Sequence, residues 1–234
     1  MRFIQAILLP LIIFSCGGKL EKESIDILCR NFSKEELSYY AEIGFGTEFG
    51  TGDNDRNSKW NKDIKIRVFG VPPYASDTLL LKKVANKLNE VIEPISIELT
   101  KGDDYNVEMH FVSLFDAHKV FGTEESHFGS SAQFKAPSFL GSIQHAQIVI
   151  YHESIERTRS KLIWEETIQI LGLMQDSHKY PMSVFSFNDN KLNNNWHFKE
   201  PLPIDFQLLR ILYNYDLPAH IKKSDFVSQI EKCF

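Results

Sequence analysis

The sequence lacks the features that mark nucleic-acid-binding, repetitive or polytopic membrane proteins. Its 26 basic residues are outnumbered by 31 acidic ones, giving a formal net charge of -5, and no dense basic run occurs, so nucleic acid is not an expected partner. No internal repeat of useful length is present. Beyond the N-terminus, no run is long and apolar enough to cross a bilayer. Because 43% of the 234 residues are hydrophobic, one ordinary folded domain is expected.

The N-terminus predicts an export segment. Residues 1–15 combine a single early arginine with a short, almost wholly apolar run, which is typical of a signal peptide and too short for a transmembrane helix. The motif Ile13-Phe14-Ser15-Cys16 resembles a bacterial lipobox, which implies cleavage before Cys16 and lipid attachment to its thiol. An ordinary secretory signal and a buried N-terminal segment are the alternatives.

This resemblance implies a membrane partner, through the lipid on Cys16, and a place in the bacterial cell envelope. The outer membrane is favoured over the inner one, because Gly17 is not the acidic sorting signal of some inner-membrane lipoproteins. Residues 16–30 are predicted to include a tether, and residues 31–234 to form a single domain.

Cysteine is scarce, with three residues in the chain. Cys16 is assigned to the anchor, which leaves Cys29 and Cys233 near the two ends of the mature protein. Export permits a disulfide between them. Two separate thiols remain equally compatible with the sequence, because a sequence gives no Cα separation.

The hydrophobic pattern predicts a mixed α+β fold. Alternating apolar residues indicate half-buried strands, and apolar residues at helical spacing indicate helices. The strands are expected at 64–69, 95–99, 107–111 and 146–150, and the helices at 34–43, from residue 76 or 77 to 91, from residue 154 to 171, and at 203–213. Ser33 and Glu36 have the spacing of a capping box, and Ser76 or Asp77 is expected to cap the second helix. Residues 115–140 are expected to be loops with one short strand.

The stretch 163–182 contains the candidate site. Trp164, Ile168 and Leu171 share one predicted helix face, and Glu165, Glu166 and Gln169 cluster on the other. Gly172 follows the last periodic residue, where a left-handed cap is common.

This stretch resembles the zinc-binding helix of metzincin metalloproteases, especially matrixins, whose pattern is H-E-x-x-H-x-L-G-L-x-H. Aligned on the L-G-L of residues 171–173, Glu166 falls on the general base, and the three zinc histidines fall on Glu165, Gln169 and Gln175. The resemblance therefore implies a zincin-like scaffold whose metal-ligand positions are degenerate.

Two later motifs extend the resemblance. Ser183 and Phe185 lie where matrixins carry a serine and the methionine of their Met-turn, and residues 203–213 resemble the closing matrixin helix. The same combination resembles a group of uncharacterised bacterial lipoproteins related to zincins. The implied fold is a twisted mixed sheet packed on two main helices, with a smaller C-terminal helical part.

The replaced ligands make a zinc cofactor unexpected, since zinc favours imidazole, thiolate and carboxylate ligands over neutral amides. The sequence therefore predicts a non-catalytic envelope module that binds a peptide or protein in its cleft. The alternatives are an envelope peptidase with non-standard ligands and Glu166 as general base, and a purely structural envelope component. Oxygen ligands from Glu165, Gln169, Gln175 and Asp176 would suit a hard cation better than zinc.

Overall fold

The computed structural model of the chain describes residues 20–46, 55–72, 74–121, 132–154, 156–187 and 198–234. It has the α+β fold expected from the sequence, with a mixed sheet and helices. The helices are α1 Lys22–Asn31, α2 Lys34–Ile43, α3 Ala75–Asn89, α4 Ala117–Phe121, α5 Glu156–Gln169, α6 Pro203–Tyr213 and α7 Lys223–Ile230. The strands are β1 Lys59–Trp60, β2 Ile64–Phe69, β3 Ile97–Thr100, β4 Val107–Val112, β5 Ala132–Lys135, β6 Ser138–Phe139, β7 Ser142–Ile143 and β8 Ala146–Tyr151.

The main sheet has five strands in the order β3-β2-β4-β8-β5. Its first four strands pair in parallel, and β5 pairs antiparallel with β8. Along β4 the side chains alternate between buried and half-buried, as the period of two in the sequence predicted. Strand β8 is buried almost throughout, because its second face is also covered, in part by α4. The predicted mixed sheet is confirmed.

Helices α3 and α5 pack against each other and against this sheet. Leu81, Val84 and Leu88 form the buried stripe of α3, which is the stripe that the helical spacing predicted. The expected cap of this helix is wrong: Ser76 and Asp77 lie inside the helix, and Tyr74 is its N-cap without a side-chain cap bond. Asp77 is instead buried and paired with Arg159 of α5, whose Nε lies 3.5 Å from Asp77 Oδ2.

A smaller helical part is built from both ends of the chain. Helix α2 begins with the predicted capping box of Ser33 and Glu36 and packs against α6 and α7. Helix α1 packs against α2 and α7, and a disulfide joins Cys29 to Cys233 with their Cα atoms 6.1 Å apart.

The predicted tether over 16–30 is too long. Residues 22–31 form α1, and its Ile25 and Leu28 are buried in the core. Their spacing of three residues places both on one face of a helix. The sequence did not predict this helix, because the charged residues around Ile25 and Leu28 are typical of an exposed segment. The folded part therefore begins before residue 31.

The region 115–140 contains more regular structure than expected. It includes α4, β5 and β6, and β6 joins β1 and β7 in a separate three-stranded sheet of order β1-β7-β6. Two-residue strands have no readable period, which explains why the sequence did not predict them.

No helix among the described residues is long and apolar enough to cross a membrane. The predicted signal peptide and lipidation site at Cys16 lie outside the described residues.

Candidate functional site

From Lys161 to its end at Gln169, the central helix α5 is buried on every side. The sequence placed Glu165, Glu166 and Gln169 together on a polar face, and these side chains are only 8%, 6% and 2% exposed. Trp164 and Ile168 on the opposite face are also buried. The polar face of α5 is therefore an internal surface whose charges require partners within the protein.

Lys161 supplies the partner of Glu165. Its ammonium group donates to Glu165 Oε1 at 2.8 Å, one helical turn away, and to the carbonyl oxygen of Ser186 at 3.1 Å. Lys161 is itself only 8% exposed. A buried ion pair thus links α5 to the segment of residues 177–187 that covers it.

Sequence reasoning did not single out Lys161, because lysine between apolar helix positions usually points to solvent. The available signal was its spacing: Lys161 precedes Glu165 by four residues, and such residues are neighbours on a helix surface.

Gln169 bonds to the chain beyond the helix. Its Nε2 donates to Asp176 Oδ1 at 3.2 Å. Gln175 is half-buried, and its backbone N–H donates to the carbonyl of Ile43 at 3.3 Å. Glu165 is therefore held by Lys161, and Gln169 by Asp176.

Burial changes the acidity of both carboxyl groups. It raises the pKa of Glu165 to about 7, with the attraction of Lys161 opposing this rise and the charge of Asp176 adding to it. Burial also raises the pKa of Asp176, against the attraction of Lys161 and His178. The site therefore combines one ammonium and two carboxyls in an environment that disfavours uncompensated charge.

The turn after α5 depends on Gly172. Its φ is +113°, and a Cβ built on it would lie 1.9 Å from the carbonyl oxygen of Ser58. The last carbonyls of the helix are satisfied from outside, since Trp60 Nε1 donates to Ile170 O at 2.8 Å and the Tyr213 hydroxyl donates to Leu171 O at 2.7 Å. Strand β1, which contains Trp60, and the last residue of α6, Tyr213, therefore fix this turn from two sides.

Ser183 and Phe185 lie in the covering segment, and both are fully buried. The Ser183 hydroxyl donates to Asp205 Oδ1 at 2.6 Å and accepts from the Phe185 backbone N–H at 3.0 Å. Asp205 Oδ2 also accepts from Val184 N at 3.0 Å. The first residues of α6 thus hold this segment in place, and Asp205, which the sequence analysis missed, is the residue that does so.

The residues that align with the zinc ligands of metzincins, Glu165, Gln169 and Gln175, do not fit a zinc ion. Two are neutral amides, and the third, Glu165, is already paired with an ammonium that would repel a dication at the same place. Among the residues that the structure describes, no group of three or more His, Cys, Asp or Glu side chains is arranged to hold a metal. The ammonium of Lys161 disfavours a hard cation on Glu165 for the same electrostatic reason.

Solved structures include partial matches to this backbone. Two structures of myroilysin match with 12% and 10% identity and TM-scores of 0.46 and 0.43, covering 77% and 79% of this chain and 95% and 97% of theirs. High choriolytic enzyme 1, a hatching-enzyme zinc protease from the medaka fish Oryzias latipes, matches with 11% identity and a TM-score of 0.37 over 72% of this chain and 99% of its own.

No curated protein matches the sequence. A family model does match, over residues 34–232, which includes α2, the whole main sheet, the central helix and α7. The chain belongs to the family described as "Protein of unknown function (DUF2927)".

Proposed function

We propose that the protein is a lipid-anchored binding module of the bacterial cell envelope, built on a zincin-like domain that no longer performs metal-dependent hydrolysis. The observation that carries this proposal is the buried ammonium of Lys161, which lies 2.8 Å from Glu165. It places a fixed positive charge beside the first of the three residues that match zinc ligands.

Glu166 is the residue that matches the general base of the proteases. In a zinc hydrolase the metal lowers the pKa of the water that the base helps to activate. Without that metal a buried carboxylate has no comparably activated nucleophile. Glu166 therefore has a structural or ligand-positioning role in this proposal.

The binding surface that we propose is the edge of β5. This strand pairs with β8 on one side, and no strand among the described residues pairs with its other side. The unpaired N–H and C=O groups of such an edge can bind an extended peptide by strand addition. The ligand class is accordingly an extended peptide or a protein segment.

Backbone methylation of a ligand tests strand addition. A peptide selected from a displayed library on the purified protein would be synthesised in two forms, each N-methylated at alternate residues. Because only every second residue of an added strand points its N–H toward the edge, one form should lose binding and the other should retain it. If both methylated peptides bind as tightly as the unmethylated parent peptide, strand addition is contradicted.

The anchor is tested separately with Cys16→Ser. This substitution removes the thiol that carries the lipid, so the protein should no longer fractionate with membranes after salt and carbonate washes. The unmodified protein, processed in parallel, is the control, and it should remain with the membranes after the same washes. Persistent membrane association of Cys16→Ser would show that the lipoprotein assignment is wrong.

A further inference from the structure

A cavity of about 340 Å³ lies apart from the polar face of α5, on the side where the turn at Gly172 meets the three-stranded sheet. Ala136 and Pro137, which follow β5, contribute to its wall. Its volume is in the range of pockets that hold small ligands. The lining combines polar groups on Arg56, Ser58, Ser138 and His220 with the apolar side chains of Leu140 and Met174.

The charge of this lining is positive. Arg56 contributes a guanidinium, and none of the described residues that line the cavity is an Asp or Glu. A guanidinium in a concave site favours a carboxylate or another anion.

Arg56 is held in position before any ligand binds. Its Nη1 donates to the carbonyl oxygen of His220 at 2.7 Å. The neighbouring Asn57 is fully buried and fixes the same two chain segments to each other, through bonds of 2.8 Å to Pro218 O and 2.9 Å from Ile221 N. A pre-positioned guanidinium loses less conformational entropy on binding than a free surface arginine.

The hairpin turn between β6 and β7 has an unusual residue facing this cavity. Leu140 and Gly141 form a two-residue turn with φ values of +48° and +76°, the signs of a type I′ turn, in which Asn-Gly is the preferred pair. A leucine backbone is strained at positive φ. Because the Leu140 side chain is 49% exposed, the free energy gained by burying it offsets this strain only in part. His220, another lining residue, also has a positive φ of 66°. Non-glycine residues in this region of φ are frequent at ligand sites.

We propose that this cavity binds a carboxylate next to an apolar side chain, of the size of one terminal amino-acid residue. The Arg56 guanidinium pairs with the carboxylate, and Leu140 and Met174 contact the apolar group. The Ser58 and Ser138 hydroxyls bond to each other at 2.9 Å, which leaves one O–H free to donate to the carboxylate. A free N-acylated amino acid and the C-terminus of a peptide present this same chemistry. The site is distinct from the strand edge of β5, because none of the described residues that line the cavity lies within that strand.

Calorimetric titration of the purified protein tests the proposal with four probes: N-acetyl-leucine, N-acetyl-leucinamide, a pentapeptide ending in leucine, and its C-terminal amide. Both carboxylates should bind, and both amides should bind at least about tenfold more weakly, since a charge-assisted hydrogen bond is lost. Tighter binding of the pentapeptide than of N-acetyl-leucine identifies a peptide terminus as the source; equal binding identifies the small acid.

Two variants locate the ligand. Arg56→Gln should weaken the binding of N-acetyl-leucine about tenfold or more, whereas Arg30→Gln, at an exposed arginine on α1, should not change it. Leu140→Asn places the preferred residue in the turn, so it should preserve or raise the melting temperature while weakening binding. This variant separates binding from folding.

The proposal is overturned if none of the probes binds at millimolar concentration, or if acids and amides bind equally. Inorganic phosphate is titrated in the same way, and the proposal is also overturned if phosphate binds more tightly than both carboxylates. It is overturned as well if Arg56→Gln and Leu140→Asn both retain the affinity of the unmodified protein for N-acetyl-leucine.

Discussion

Lys161 is the residue that most changes the interpretation of the central helix. Its ammonium pairs with Glu165 inside the protein, where the two side chains are each 10% exposed. A buried ion pair stabilises the folded protein by less than its Coulomb energy suggests, because both charges lose their hydration on folding. Removing one partner is costly, since the other charge is then left uncompensated in a medium of low dielectric constant.

Lys161→Met should therefore lower the free energy of unfolding by about 3 to 5 kcal/mol, the usual cost of breaking a buried pair. The double variant Lys161→Met/Glu165→Gln should recover part of this loss, because the uncompensated carboxylate is gone. Urea denaturation of the unmodified protein, Lys161→Met, Glu165→Gln and the double variant gives the coupling energy between the two side chains.

The pair Lys87 and Glu90 on the surface is a matched control. Its Nζ–Oε2 distance is also 2.8 Å, but its side chains are 45% and 64% exposed. The same cycle of Lys87→Met and Glu90→Gln should give a coupling energy of about 0.5 kcal/mol or less, as is usual for exposed pairs. An equally small coupling for Lys161 and Glu165 would remove the basis for treating Lys161 as the internal cation of this site.

At the scale of elements, the long periodic segments could be predicted from the sequence and the packing around them could not. The predicted closing helix 203–213 coincides with α6, and the capping box at Ser33 begins α2. The period of α5 also predicted a helix, but not that its polar face is internal. That burial depends on the segment 177–187, whose position is set by contacts far apart in sequence, such as that between Ser183 and Asp205.

The turn that ends α5 is predicted to be intolerant of any side chain. Gly172→Ala should lower the free energy of unfolding by roughly 2 to 5 kcal/mol, because alanine is strained at a φ of +113° and its Cβ would overlap the Ser58 carbonyl. Thermal and urea denaturation measure this loss. Gly102→Ala is the control, since a Cβ at Gly102 would meet only Thr100 Oγ1, at 3.6 Å. Similar stability of both variants would contradict the assigned geometry of the turn.

At the scale of the whole molecule, the two chain ends close on each other. Cys29 in α1 and Cys233 after α7 are separated by 204 residues in sequence and joined by a disulfide. The sequence permitted this bridge but could not predict it, because the packing of α1 against α7 brings the two cysteines together. The tertiary structure, not the cysteine spacing, determines this contact.

Reduction of this disulfide should destabilise the protein by about 5 kcal/mol, the loop-closure entropy expected for so long a loop. The measurement compares urea denaturation with and without a reductant. The double variant Cys29→Ser/Cys233→Ser serves as the control, because its stability should not respond to the reductant. If both cysteines of the unreduced, denatured protein react with a thiol reagent, no bridge is present and this prediction is wrong.

A binding module without metal-dependent activity requires that no functional metal is bound at Glu165, Gln169 and Gln175. Elemental analysis of the protein, purified from cells grown with added zinc and without chelator, tests this most directly. We predict zinc far below one equivalent per chain, because two neutral amides and a carboxylate already paired with Lys161 form a poor ligand set. Stoichiometric zinc, accompanied by a chelator-sensitive peptidase activity that Glu166→Gln abolishes, would contradict the account.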